Sequence, residues 1–408
     1  MVSADFSLIL ILLYGKINSK INTERLLMKS SDILILGGGI IGMSIARELA
    51  GNGLNVRILE RHQPGREASW ASAGMLAPQG ELSEGAFQKL CIESNRRYPA
   101  YRADVEEETG IKCYHREAGT MALAVTDEDE AEFRRTYQLQ KNDGLEVEWI
   151  TGDEARSKEP ELSQLVRGGM YLPGDRHVEN RLLVPALEKA CRIRGVDIVN
   201  GAQVIKINSD NGKASGVSTI IGDYTANIII NTAGAWSATI DVPDETLRPP
   251  VFPVRGQMMA IELPTPTFLN HVIRSPRSYM VPRHDNRLFL GATMEEVGFN
   301  KSNSVWGIHK LLSGAKELLP NLDKCTIIET WAGLRPGSAD NHPILGYTSL
   351  AGYIMATGMF RNGLLLTPVI SQTIAELIIS GSTPDIIALF NINRFADGKY
   401  KAGKVPGA

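Results

Sequence analysis

Asp32–Leu36 is a short, mostly apolar run that enters Gly37-Gly38-Gly39-Ile40-Ile41-Gly42, and beyond it Met43, Ile45, Ala46, Leu49 and Ala50 fall on one helical face. Gly51 and Gly53 stop that helix, and Asn55–Glu60 reads as a second buried strand. A strand, helix and strand within roughly thirty residues open a doubly wound sheet. Glu84–Thr109 then reads as a helix ended by Gly110, and Met121–Val125 as a strand. Thr126 with Asp129, and Thr151 with Glu154, carry the spacing of a capping box, each starting a further helix. Between about Leu82 and Tyr171 helices and strands alternate without a strand-helix-strand rhythm, which points to a second domain inserted into the first.

The rhythm returns after Asn180, with a helix over Leu182–Ile193 and strands at Asp197–Val199, Gln203–Ile207 and Ala226–Asn231. From Pro253 to Met294 the pattern changes to antiparallel-type strands joined by turns rich in Pro, Asp and Asn. Residues 326–334 are expected to lead back to the first domain, followed by a strand at Tyr353–Thr357 and a helix over Gly363–Ser380 that stops at Gly381. The expected fold is α/β: a doubly wound, Rossmann-like domain (31–80, 176–250 and 326–390) with an inserted α+β domain on an antiparallel sheet (81–175 and 251–325). Residues 1–30 form an N-terminal extension and 391–408 a C-terminal tail.

Composition narrows the chemistry. Lys and Arg number 43 and Asp and Glu 46, a net charge of −3, with no long basic tract to serve a nucleic acid. Hydrophobic residues at 43% and charged residues at 22% suit a packed, water-soluble body. Cys91, Cys113, Cys191 and Cys325 are far apart, and none of the seven histidines stands four residues from another, so neither a disulfide framework nor a metal site is expected and a reducing cytoplasm fits. Phe6–Tyr14 is apolar but spans only about half of the ~20 residues that cross a bilayer. It reads as an extension, with peripheral membrane contact as the competing reading.

Gly37, Gly39 and Gly42 fit G-x-G-x-x-G, in which glycines permit a tight turn and bring a pyrophosphate to the positive end of a helix. Glu60, at the end of the next strand, suits ribose hydroxyls, and its charge opposes a 2′-phosphate. After Arg61, the small residues of Glu67–Pro78 let a long cofactor lie close to backbone. Arg361, Asn362 and Gly363 fall at the expected start of the last long helix, where its dipole would stabilise negative charge.

The ordered series GGGIIG, ILER, REASWASAGMLAP, LPGDRHVENRLLVPAL, NTAGAWS, PVRGQM, SYMVPR, RLFLGATMEEVGF, WAGLRPGSADNHPILG and TGMFRNGLLLTP, from about Asp32 to Ser380, resembles the amine-oxidising flavoproteins of the D-amino-acid oxidase superfamily, most closely the glycine oxidases of thiamine biosynthesis. The resemblance implies extended FAD, with adenine near Glu60 and Val204 and the flavin beside Ser69, Ala73, Gly74 and Met75. It adds Ile40, Ile41, Arg61, Ala233, Gly234, Trp236, Gly358, Arg361, Asn362, Gly363 and Leu364 to the cofactor set. It implies that Arg361 binds the substrate carboxylate, helped by Tyr279 and with Arg335 nearby, and that Met294 is an apolar wall. An arginine fork pairs both oxygens of a carboxylate. Met359 departs from the pattern, since relatives usually carry histidine there.

The implied reaction is FAD-dependent oxidation of a small amino acid, foremost glycine, with oxygen as acceptor. A thiazole synthase would act downstream, and the assembly would be a homotetramer. The competing reading is a D-amino-acid or sarcosine-type dehydrogenase using a membrane acceptor, favoured only by Phe6–Tyr14. Removing residues 1–27 should leave flavin content and turnover unchanged; loss of folding on truncation, read by circular dichroism, would show that this segment packs into the body.

Overall fold

The computed structural model describes residues 30–80, 85–264 and 269–396, so Phe6–Tyr14 and most of the 391–408 tail lie outside the described residues. Two eight-stranded sheets carry the chain. In the first, Ser30–Leu36 lies between Val56–Glu60 and Gly222–Asn231, and Asp197–Asn200 and Tyr353–Thr357 extend it, all in parallel. Ile344–Tyr347 adds an antiparallel edge.

Alternation along the central strand explains its two-sided burial. Ile33 and Ile35 enter one core with the helices Ile40–Gly51, Asn180–Ile193 and Thr367–Ser380. Leu34 and Leu36 enter another core, to which Ile207, Ala214 and Val217 of an antiparallel hairpin (Val204–Asp210 and Lys213–Thr219) contribute. The doubly wound order is therefore kept, while a hairpin covers much of one face.

The second sheet runs in the order Thr326–Ser338, Val251–Glu262, Arg287–Gly291, Tyr279–Pro282, Val272–Arg274, Thr120–Ala124, Gly168–Leu172 and Glu148–Thr151. Every neighbouring pair is antiparallel except Val272–Arg274 with Thr120–Ala124. The helix Val305–Leu318 packs on it through Leu311, Ala315 and Leu318. Both capping boxes form, with Thr126 and Thr151 each accepting from the backbone three residues on.

Two expected boundaries move. Thr326–Ser338 pairs along its length with Val251–Glu262, so it belongs to the second sheet, and the chain returns to the first only at Ile344. The last helix begins at Thr367 rather than Gly363. Pro368 lacks an N–H and is accommodated in a first turn, whereas a start at Gly363 would put it in the interior. Gly381 ends that helix as expected, with φ +73°.

Gly37, at φ +104°, turns the chain out of the first strand. A Cβ on Gly42 would lie 2.2 Å from the Gly37 carbonyl oxygen and 2.6 Å from Thr232 Oγ1. The helix can approach the sheet this closely only without a side chain there. Gly42→Ala should therefore lower stability by about 1–3 kcal/mol through overpacking, seen as earlier thermal and denaturant unfolding.

Candidate active site

A cavity of about 410 Å³ extends from the turn at Gly37 to the face of the second sheet. It brings together Gly37, Gly39, Ile40, Ile41, Glu60, Arg61, Ser69, Ala73, Gly74, Met75, Val204, Ala233, Gly234 and Trp236, with Tyr279, Met294, Arg335, Arg361, Asn362, Gly363 and Leu364. Gly42 and Gly358 do not line it. Gly42 is spent on the helix-to-strand contact, and Gly358, at φ +73°, makes the turn after Tyr353–Thr357.

At the glycine-rich end the Glu60 carboxylate accepts from the backbone N–H of Gly38 at 2.8 Å and of His62 at 2.9 Å. It is 7% exposed. A carboxylate has about four acceptor directions, so acceptor capacity is left for ribose hydroxyls. The Ile40 N–H donates to Ser69 Oγ at 3.0 Å, and the helix start carries no side-chain cap. Gly39 has open space, since its Cβ would meet only Ser69 Oγ, at 3.5 Å. A pyrophosphate can thus approach the helix end closely, and the residues present fit FAD. Arg61 lies over the Trp236 ring, 3.4 Å from its centre, and pairs with Glu67 at 2.5 Å.

The opposite end is built by the second sheet. Tyr279 Oη donates to Met258 Sδ at 3.3 Å, and its ring covers Gly291, where a Cβ would fall 2.5 Å from the phenol oxygen. Arg335 Nη1 donates to the Thr293 carbonyl at 3.0 Å. Its guanidinium lies over Gly256, where a Cβ would come within 2.5 Å of it. Arg335 is half-buried and Arg361 exposed. Gly256, Met258, Thr293 and Arg274 line this end although they were absent from the expected set. Their sequence signal was weak, because Gly256 and Met258 sit inside PVRGQM and Thr293 inside the GATM stretch without charge or spacing to mark them.

Met359 is buried in the wall, and Phe360, at φ +47°, donates its N–H to the Pro336 carbonyl at 2.9 Å. This ties the loop after the first sheet's last parallel strand to the second sheet. The Arg361-Asn362-Gly363 segment ends four residues before the helix starts at Thr367, so it lies outside the first turn in which the helix dipole acts, and the expected helix-start role is not formed. In the turn that joins them Leu366 N–H donates to the Asn362 carbonyl at 2.8 Å.

Among the described residues, the cavity lining holds five arginines and two glutamates but no histidine, lysine, cysteine or aspartate. Both glutamates are committed, Glu60 to backbone and Glu67 to Arg61 and Lys301. His177 pairs with Met75 behind the lining. Burial, and after it the Arg283 and Arg116 charges, push its imidazole down to about 3, so it is neutral near pH 7. The substrate end is cationic, partly apolar and without a general base.

A doubly wound sheet with a glycine-turn cradle, facing a mostly antiparallel sheet that carries an arginine and a tyrosine, is the framework of a dinucleotide-binding protein whose cavity has a second, cationic end. Residues 32–377 match the FAD dependent oxidoreductase family, and the chain belongs to it. It is 36% identical over 373 residues to the bifunctional protein ThiO/ThiG of Synechocystis sp., covering 90% of this chain. It spans about half, 54%, of that relative's length. It is 33% identical to the glycine oxidase of Geobacillus kaustophilus, covering 89% of this chain and 97% of that protein. The crystal structure of glycine oxidase from Geobacillus kaustophilus superposes with a TM-score of 0.85 at 32% identity, covering 90% of this chain and 99% of that one. The cofactor is FAD.

Glu60→Ala should weaken FAD binding. It removes the charged acceptor that fixes the Gly38 turn, and hydrogen bonds to charged groups contribute about 1.5–3 kcal/mol. Fluorescence titration of the apoprotein should show the dissociation constant rising roughly tenfold to a hundredfold.

Proposed function

We propose that the protein is a glycine oxidase that converts glycine, and with lower preference other small amines or D-amino acids, to the imine. Water then hydrolyses the imine to glyoxylate and ammonia, while oxygen is reduced to hydrogen peroxide. FAD, when bound, supplies the hydride acceptor at flavin N5. In this reading Glu60, Ser69 and the Gly37–Gly42 turn hold the cofactor, and the adenine end is walled by Val204 and Trp236. The bifunctional relative joins a chain of this kind to ThiG, which supports delivery of the imine to thiazole formation by a partner enzyme.

The observation that carries the reading is the composition of the substrate end. Arg335 is fixed by the Thr293 carbonyl and seated over Gly256, and Tyr279 and Met294 line the same cavity. A half-buried guanidinium held in one orientation suits a carboxylate better than an exposed one, so Arg335 takes the anchoring role that the family resemblance implies for Arg361. Arg361 is left to the cofactor end of the same wall. Tyr279 orients the carboxylate through its hydroxyl. With no base at this end, the substrate must react as its neutral amine.

The test compares glycine with a small amine lacking a carboxylate. Removing one partner of a buried charge pair costs about 2–5 kcal/mol, or roughly thirtyfold to several thousandfold in kcat/KM. Arg335→Ala should impose this loss on glycine alone and retain FAD, and Arg361→Ala should cost less. The reverse ranking would return the anchor to Arg361. In the unaltered enzyme kcat/KM for glycine should rise with pH until the free amine predominates; a fall over that range would require a protonated group on the protein.

A further inference from the structure

Behind the wall at Ser69–Gly74 lies a buried polar set that the proposed reaction does not use. Arg283 is 3% exposed, Glu179 2% and Asn180 0%. Arg283 comes from the second sheet's strand end, and the other two from the start of the helix Asn180–Ile193. The Arg283 fork donates to the Ala73 carbonyl at 2.6 Å, to Asn180 Oδ1 at 3.2 Å and to the Glu179 carboxylate, and it lies over the Phe289 ring. Asn180 Nδ2 donates to the carbonyls of Ser69 and Trp70, each at 3.0 Å. Trp331 Nε1 takes the Ala71 carbonyl at 2.9 Å, and the Val178 N–H takes that of Gly74 at 2.9 Å.

Five carbonyls within six residues are thus turned away from the cavity. A planar trans peptide puts its carbonyl and the next N–H on opposite sides. Fixing the Ala73 carbonyl on Arg283 therefore turns the Gly74 N–H the other way, towards the cavity that Gly74 lines. Gly74 itself must be glycine, with φ +81° and a Cβ position 2.0 Å from the Val178 carbonyl oxygen.

We propose that Arg283, held by Glu179 and Asn180, is a positioning residue that presents the Gly74 N–H to the flavin as a fixed donor and so sets the reduction potential of the bound cofactor. This rests on the reading that the flavin lies against Ser69–Met75. A preoriented donor stabilises the electron-rich reduced ring more than the oxidised one. Lysine at 283 keeps the charge but puts its donors on one nitrogen, where arginine reaches Ala73 from Nη1 and Asn180 and Glu179 from Nη2 of a rigid fork.

The experiment compares the unaltered holoenzyme with Arg283→Lys and Asn180→Ala, measuring the midpoint potential of bound FAD by dye equilibration, its visible spectrum, and apoprotein melting. Met75→Trp tests the underlying reading separately, since a larger side chain in that wall should block FAD binding if the flavin lies there and leave it unchanged if it does not. For Arg283→Lys the expected result is a tenfold shift of the two-electron equilibrium towards oxidised flavin, about 30 mV, with an altered spectrum and kcat falling more than KM rises. Asn180→Ala should shift it in the same direction by a smaller factor. Lower melting temperatures with unchanged potential and spectrum would make the set a structural brace and overturn the proposal. So would indistinguishable variants, or failure of both to fold.

Discussion

The contact on which the site depends is the bare approach of Gly42 to the Gly37 carbonyl and Thr232. A side chain at 42 would collide with backbone at 2.2 Å, and one at 37 would meet the Thr232 carbonyl oxygen at 2.9 Å. Because neither is present, the first helix starts against the end of the central strand, with Gly39, Ile40 and Ile41 of its start lining the cavity. Thr232 Oγ1 bonds the Leu36 and Gly37 carbonyls, each at 3.0 Å, and closes the turn from the other side. Glu60 then bonds the Gly38 N–H, which joins the neighbouring strand to the same turn.

Of the five arginines that line the cavity, Arg61 is paired with Glu67 and Arg277 with Asp129 and Glu317, so the positive charge of the lining is partly balanced. Deeper in the protein the balance is kept by pairing. Arg283 and Glu179 compensate each other inside the body, and Arg181 is paired with Glu329 while stacked over Trp70 at 3.7 Å and Trp331 at 4.2 Å. Breaking either pair would strand a buried charge, which costs far more than an exposed bridge contributes.

The dinucleotide half was legible because its chemistry is local. Gly37, Gly39, Gly42 and Glu60 stand within one strand-helix-strand unit, and the backbone reason for each glycine can be stated from spacing alone. The substrate half is assembled from strands distant in sequence: Gly256 opposes Gly333 across a pair, while Tyr279 faces Gly291. No periodicity along the chain reports that register. For the same reason residues 326–334 read as a return to the first domain although they pair with Val251–Glu262 in the second sheet, and the surroundings of Arg335 exist only after folding. The helix Val305–Leu318 went unread although Ser304 caps it by accepting from the Gly307 N–H at 3.0 Å.

The two halves meet where small residues and large aromatic ones alternate. A Cβ on Gly333 would come 2.5 Å from Ala71 Cβ, so the strand that carries Arg335 can press against Ala68–Ala71 only through a glycine. Beside it Trp331 packs at 5.0 Å on Phe289 and donates to the Ala71 carbonyl. The same strand therefore positions Arg335 and, two and four residues earlier, holds the segment that walls the cofactor end. A displacement of that strand would move Arg335 together with the contacts of Trp331 and Gly333 to Ala71. The spacing between Arg335 and the segment that walls the cofactor end is therefore set along one strand rather than by two independently placed domains.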